Sequence, residues 1–168
     1  MEAVNTTYDN DSKDRVGTFI FDPNRERILI GHAPNKKMEP NSWDLVGKGH
    51  IQYGDMKEET VNKEVLEESN IDVSELYKIE LGDMPYNGGR LYFYALVLPE
   101  APNEIVCKSY FNWFGKQLPE FSLFDWVTLE EAKTRLYKGL SKVIFDKKLK
   151  NGETIYSSLQ NMLKNGLL

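Results

Sequence analysis

The sequence predicts an α+β fold. Three observations point there: short strand-like runs through the first two-thirds of the chain, one early helix among them, and helical periodicity gathered near the end. At 168 residues the chain suits one domain with a substantial core. No internal repeat or linker divides it, so residues 15–168 are expected to form that domain, with 1–14 disordered or loosely attached.

Taken in order, Val16–Phe21 reads as a strand, and Asp22-Pro23-Asn24-Arg25 supplies turn chemistry before a return strand at Arg27–Ile30. A polar loop follows from His32 to Asn41. Trp43–Val46 is a short strand that delivers the chain to a glycine turn. The next helix is expected from Asp55 as N-cap, with Glu58 completing a capping box, to about Ser69. Asn70 then falls where a left-handed C-cap is wanted. Leu76–Leu81 reads as a strand, Asn87-Gly88-Gly89 as a turn, and Arg90–Leu98 as the strongest strand. Pro99–Pro119 reads as a long connection carrying Phe111, Trp113 and Phe114. Leu123–Val127 is the last predicted strand, and Thr128 with Glu131 caps a following helix. Amphipathic segments cover Ser141–Leu149 and Glu153–Lys164.

Composition narrows the function classes. The chain is 40% hydrophobic and 28% charged, with a formal net charge of −5, ordinary values for a soluble globular protein. That balance disfavours a duplex-binding surface, which must be basic. It leaves room for a small anionic substrate neutralised locally by a metal. No apolar run approaches the roughly 18 residues of a membrane span. The N-terminus has no apolar signal-peptide core, and Cys107 is the single cysteine, so no internal disulfide can form. A cytoplasmic location is expected.

The chemistry concentrates between Gly47 and Ile71. Glu64, Glu67 and Glu68 lie on one stripe of the predicted helix, beside the apolar stripe of Val61 and Val65. Like charges three and four apart repel, and acids in a last turn oppose the negative end of the helix dipole. A solvated acidic face is the bland explanation. A divalent cation held against the acids is the functional one, and oxygen-rich ligands suit Mg²⁺ or Mn²⁺ bridging to substrate phosphates.

Gly49–Ile71 resembles the Nudix box. Gly49, Glu64, Val65, Glu67, Glu68 and Ile71 match its pattern, while Asp55, Lys63 and Asn70 replace its first Glu, its Arg and its second Gly. Trp43-Asp44-Leu45 and Phe124–Ala132 are similar to the family's flanks. The resemblance implies an α/β/α sandwich with a mixed central sheet. It also implies metal-dependent hydrolysis of a nucleoside diphosphate linked to another moiety, with a non-catalytic nucleotide sensor as the alternative. By the same resemblance Glu64, Glu67 and Glu68 are metal ligands, joined by the carbonyl of Gly49. Glu120 stands where many members carry a late base or extra ligand, with Glu104 and Glu100 as further acids in that loop and Glu64 or Glu67 as bases from the helix itself.

Several residues carry two readings. Lys63 offers a point charge in place of a planar guanidinium, and could pair with Glu59 or Glu67. Lys48 could reach a substrate phosphate or simply be solvated. His50 sits at a variable box position and is a candidate substrate contact. Tyr92 and Tyr94 share a strand face, lining a base pocket or packing under a helix. The stretch around Trp113 could stack on a nucleobase, make a dimer contact or plug the fold. Cys107 follows the box, whereas the catalytic Cys of the family's prenyl diphosphate isomerases precedes it.

Overall fold

The computed structural model describes residues 13–33 and 43–168; the remainder of the predicted N-terminal segment and of the His32–Asn41 loop lies outside them. Among the described residues, nine strands and four helices follow in order: β1 (Arg15–Phe21), β2 (Ile28–His32), β3 (Trp43–Leu45), β4 (Gly49–His50), α1 (Lys57–Ser69), β5 (Ile79–Tyr86), β6 (Gly89–Val97), β7 (Tyr110–Trp113), β8 (Lys116–Pro119), β9 (Leu123–Val127), α2 (Leu129–Arg135), α3 (Lys138–Phe145) and α4 (Ile155–Lys164). Among the described residues no helix is long and apolar enough to cross a membrane.

The central sheet is mixed, and β1 is its pivot. Along its whole length β1 pairs in parallel with β6, which pairs antiparallel with the edge strand β5. On its other side β1 meets β4 at Arg15 and Val16, and β2 at Phe21. β2 is flanked antiparallel by β3 and β9. Alternation along β1 divides the core. Val16 and Ile20 face Val61 and Val65 of α1, while Phe19 and Phe21 join Leu140, Ile144, Ile155 and Leu159 of α3 and α4. Buried on both faces, the sheet is the middle of an α/β/α sandwich, as the resemblance implied.

Four expectations need correction. The first helix begins one residue late: Met56, not Asp55, is the N-cap, and Glu59, not Glu58, accepts from the Met56 N–H at 2.8 Å. Asp55 instead closes a turn onto the Gln52 carbonyl, with Gly54 at φ +85°. The strand predicted at Leu76–Leu81 runs over Ile79–Tyr86, because Lys78 ties its ammonium to the carbonyls of Val73 and Leu76 and holds that segment as a loop. Pro85 sits inside the strand without harm, since β5 is an edge. The connection predicted at Pro99–Pro119 contains the β7–β8 hairpin, turned at Phe114 (φ 47°) and Gly115 (φ 80°). The helix placed at Ser141–Leu149 ends at Phe145.

The other two predicted caps form as expected. Asn70 is left-handed at φ 63°, its N–H donating to the Leu66 carbonyl at 2.9 Å. Thr128 and Glu131 form the reciprocal capping box of α2.

Candidate active site

The site is assembled by a glycine turn pressed between β1 and α1. Gly47 adopts φ +89°, a conformation that favours glycine, and a Cβ there would lie 2.6 Å from Val65 and 2.9 Å from the Thr18 hydroxyl. Thr18, buried on β1, donates its hydroxyl to the Gly47 carbonyl at 2.7 Å. The Gly47 N–H in turn donates to Oε1 of Glu68 at 2.8 Å. Two residues on, a Cβ at Gly49 would fall 1.9 Å from Oε1 of Glu64. Glu68 is therefore hydrogen-bonded to the turn and Glu64 is laid against it.

Burial makes these carboxylates unusual. Glu68 is 3% exposed. Its burial, and then the charge of Glu64, push it well above the usual carboxylate range, with the Gly47 N–H pulling the other way. Burial, followed by repulsion from Glu67 and Glu120, raises Glu64 to about 7, while Lys63 and Lys48 oppose the shift. Glu120 acts on both glutamates, so the foot of β8 lies beside the helix acids although it is far away in sequence. Carboxylates buried together must be protonated or compensated by a cation. That donor chemistry fits a hard divalent ion. Among the described residues no three acid, His or Cys side chains are drawn close enough to enclose one.

Lys48 is held inside the protein. Its Nζ pairs with Oδ2 of Asp44 at 3.4 Å and lies 5.6 and 5.8 Å from the ring centroids of Tyr86 and Tyr137. Burial lowers its pKa, but Asp44, Tyr86 and Glu68 more than offset this and hold it above its ordinary value. The solvated reading of Lys48 is thereby excluded. The hydroxyls of Tyr86 and Tyr137 are also in contact.

The other predicted residues separate. Lys63 is exposed and makes no ion pair among the described residues, so the expected pairing with Glu59 or Glu67 is not formed. Glu59 is already engaged at the helix start. Glu67 is half-buried, and its backbone carbonyl accepts from Lys108 N–H at 2.7 Å. His50 is exposed on β4, opposite Arg15. Tyr94 is 2% exposed among the side chains under α1 and donates its hydroxyl to Glu80 at 3.1 Å, which favours packing over a pocket wall. Trp113 is half-buried on β7, outside both core clusters. Sequence reasoning gave no site role to Thr18, Tyr86 and Tyr137; Gly47 entered it only as the start of the glycine turn and Asp44 only as part of the Trp43-Asp44-Leu45 flank. A concavity of about 560 Å³ lined by Phe21, Arg25, Glu130 and Lys164 lies in the other helical layer, away from these carboxylates.

Comparison with known proteins meets this geometry. Among solved structures the chain is similar to the E. coli dihydroneopterin triphosphate pyrophosphohydrolase at 15% identity and TM-score 0.60, covering 90% of this chain and 95% of that one. It is also similar to a C. elegans Ap4A hydrolase at 16% identity and TM-score 0.57, covering 90% and 98%. A MutT protein from Methanosarcina mazei Go1 aligns at 15% identity and TM-score 0.54, covering 91% and 94%. At such identities the likeness is one of fold. No functionally curated protein matches the sequence. The NUDIX domain profile matches residues 11–146, a span holding the glycine turn, all of α1 and the foot of β8, and the chain belongs to the NUDIX family.

Proposed function

We propose that the chain hydrolyses a pyrophosphate linkage in a nucleoside diphosphate joined to another moiety, with Mg²⁺ or Mn²⁺ as cofactor. The observation that carries this reading is the pair of a buried Glu68 and a half-buried Glu64, both drawn onto one glycine turn. Glu64, Glu67 and Glu68, with the carbonyl of Gly49, would hold the ion. When bound, such an ion neutralises phosphate charge and acidifies water. Glu120, from the foot of β8, would take the proton as the water oxygen bonds to phosphorus and the bridging P–O bond breaks. Glu64 and Glu67 are the other candidate bases. Lys48 balances the charge of the acids from inside the protein, and Lys63 does so from the solvent side. His50, Tyr94 and Trp113 stand as substrate contacts of unequal merit, Tyr94 being the weakest because both its ring and its hydroxyl are occupied.

A panel of nucleoside diphosphate derivatives with either metal, assayed beside Glu67→Gln, tests the reading. Metal-dependent release of a nucleoside monophosphate, reduced on the order of 10²–10⁴-fold in the variant, is expected. The exposed, unpaired Lys63 favours the second reading, a nucleotide sensor without turnover. Tight nucleotide binding with no cleavage under either metal would establish the sensor instead.

A further inference from the structure

The β7–β8 hairpin contributes no residue to either core cluster, yet it carries three aromatic rings side by side. Phe111 and Trp113 alternate onto one face, opposite Leu118 and Lys116 in the register. Their ring centroids are 6.5 Å apart in an edge contact, and Phe114 at the tip meets Trp113 at 5.0 Å while remaining 90% exposed. Cross-strand aromatic pairs do stabilise hairpins, and an isolated two-stranded hairpin needs the help. That explains Phe111 opposite Leu118. It does not explain why a phenylalanine is held in the left-handed region at the turn with its ring 90% exposed.

The placement of the hairpin supplies the missing reason. It rises directly from the carboxylate helix: Val106 N–H donates to the Ser69 carbonyl at 3.1 Å, and Lys108 N–H to the Glu67 carbonyl at 2.7 Å. Its two legs close where Glu120 N–H donates to the Ser109 carbonyl at 2.8 Å, so the candidate base stands at its foot. With about 3.3 Å of rise per strand residue, Leu118 opposite Phe111 lies roughly 7 Å up from Glu120 and Lys116 opposite Trp113 roughly 13 Å. The hairpin thus runs from acids to rings over the length of a nucleotide, with a lysine beside the outer ring.

We infer that the β7–β8 hairpin is a base-binding arm, whose Phe111 and Trp113 face stacks on the aromatic base of a nucleotide while its phosphates lie over α1. This rests on the hydrolase reading for where the phosphates sit. A protein partner fits less well, because three rings and a leucine fall far short of the roughly 800 Å² per side that a stable interface buries.

Calorimetric titration in Mg²⁺ of ADP, GDP, CDP and UDP against inorganic pyrophosphate tests the arm on the whole chain. At least one nucleoside diphosphate is expected to bind wild type more tightly than pyrophosphate. Trp113→Ala should weaken that ligand on the order of tenfold, as loss of a stacked base does, and leave pyrophosphate within about twofold. Trp113→Phe should restore most of the difference, and Phe111→Ala should repeat the loss, with melting curves confirming that each variant is folded. Equal binding of nucleotide and pyrophosphate by wild type overturns the inference. So does equal weakening of both by Trp113→Ala, or a shift in oligomeric state with nucleotide affinity unmoved. Selective loss of nucleotide affinity in a protein that cleaves none of its diphosphate derivatives keeps the arm and removes the hydrolase. Cleavage by Trp113→Ala at the wild-type KM keeps the hydrolase and removes the arm.

Discussion

The two helical layers that cover the sheet are built on different terms. On one side α3 and α4 bury Leu140, Val143, Ile144, Ile155 and Leu159, and contribute no charged side chain to the interior. On the other, α1 buries Thr60, Val61, Val65, Glu68 and Ser69, so only two of its buried side chains are aliphatic and one is a carboxylate. What α1 lacks in apolar contact it recovers through tethers: Glu68 to the Gly47 N–H, and the Glu67 and Ser69 carbonyls to the backbone of Lys108 and Val106. One layer is held by hydrophobic burial and serves as scaffold. The other is held by directed polar contacts, which fix carboxylates in place at the expense of cohesion.

Breaking each layer in its own terms gives the largest contrast. Leu140→Ala removes a fully buried side chain and should cost about 2–5 kcal/mol of stability. Turnover per folded molecule should stay at the wild-type rate, as chemical denaturation and kinetics at low temperature would show. Gly49→Ala should do the opposite. Gly49 is not in the left-handed region, so an alanine is tolerated by the backbone, and the three atoms nearest its Cβ all belong to the Glu64 side chain. Stability should barely change, while displacing that carboxylate should weaken Mn²⁺ binding about 10–100-fold, measured by titration of the ion. If Gly49→Ala unfolds the protein instead, the α1 layer is more cohesive than its contacts indicate.

This division of labour also explains how much could be read in advance. The strands, the second-half spacing of the acids and the Asn70 cap are local patterns, and local patterns survive in a linear sequence. Lys48, beside Asp44, Tyr86 and Tyr137, joins three distant parts of the chain, and no period announces it. The Asp55 cap was misplaced by one residue because the Gln52–Asp55 turn competes for the same backbone. The hairpin was hidden for a different reason. Tyr110–Trp113 is rich in strand formers, but it lacks the Asn-Gly or Asp-Gly turn that marks a two-residue hairpin, using Phe114-Gly115 instead.

A smaller effect follows from the acids themselves. Glu64 is raised to about 7 by burial and by its neighbours, against an ordinary value of 4.5, and Glu68 is shifted in the same direction. Between those two pH values the native state keeps a proton that the unfolded chain has released. The Glu64 contribution to the stability of the metal-free protein should therefore be lost as pH rises from about 4.5 to about 7, with Glu68 acting in the same direction. For the half-buried Glu64, discounted for solvent, this amounts to about 1–2 kcal/mol. Mn²⁺ should restore the loss at pH 8 and do little at pH 5, where the proton occupies the carboxylate. Thermal melts in chelator and in metal at both pH values would show it. A metal-free protein that grows more stable over the same range would mean that Glu64 is not buried among like charges. The α3–α4 layer should add no such dependence.

The smallest expected effect concerns Lys63, where the box departs furthest from the pattern it resembles. An arginine at that position orients neighbouring carboxylates through a planar fork, which a lysine cannot form. In this chain that task falls to other groups: the Gly47 N–H fixes Glu68, Gly49 leaves room for Glu64, and buried Lys48 supplies compensating charge. Lys63 itself is exposed and acts on Glu64 only as a distant charge. Lys63→Arg should therefore change kcat, KM and melting temperature very little, by less than about twofold in rate and within about 0.5 kcal/mol in stability. A rate increase of tenfold or more would mean that the turn holds the acids poorly and that the fork is what α1 lacks.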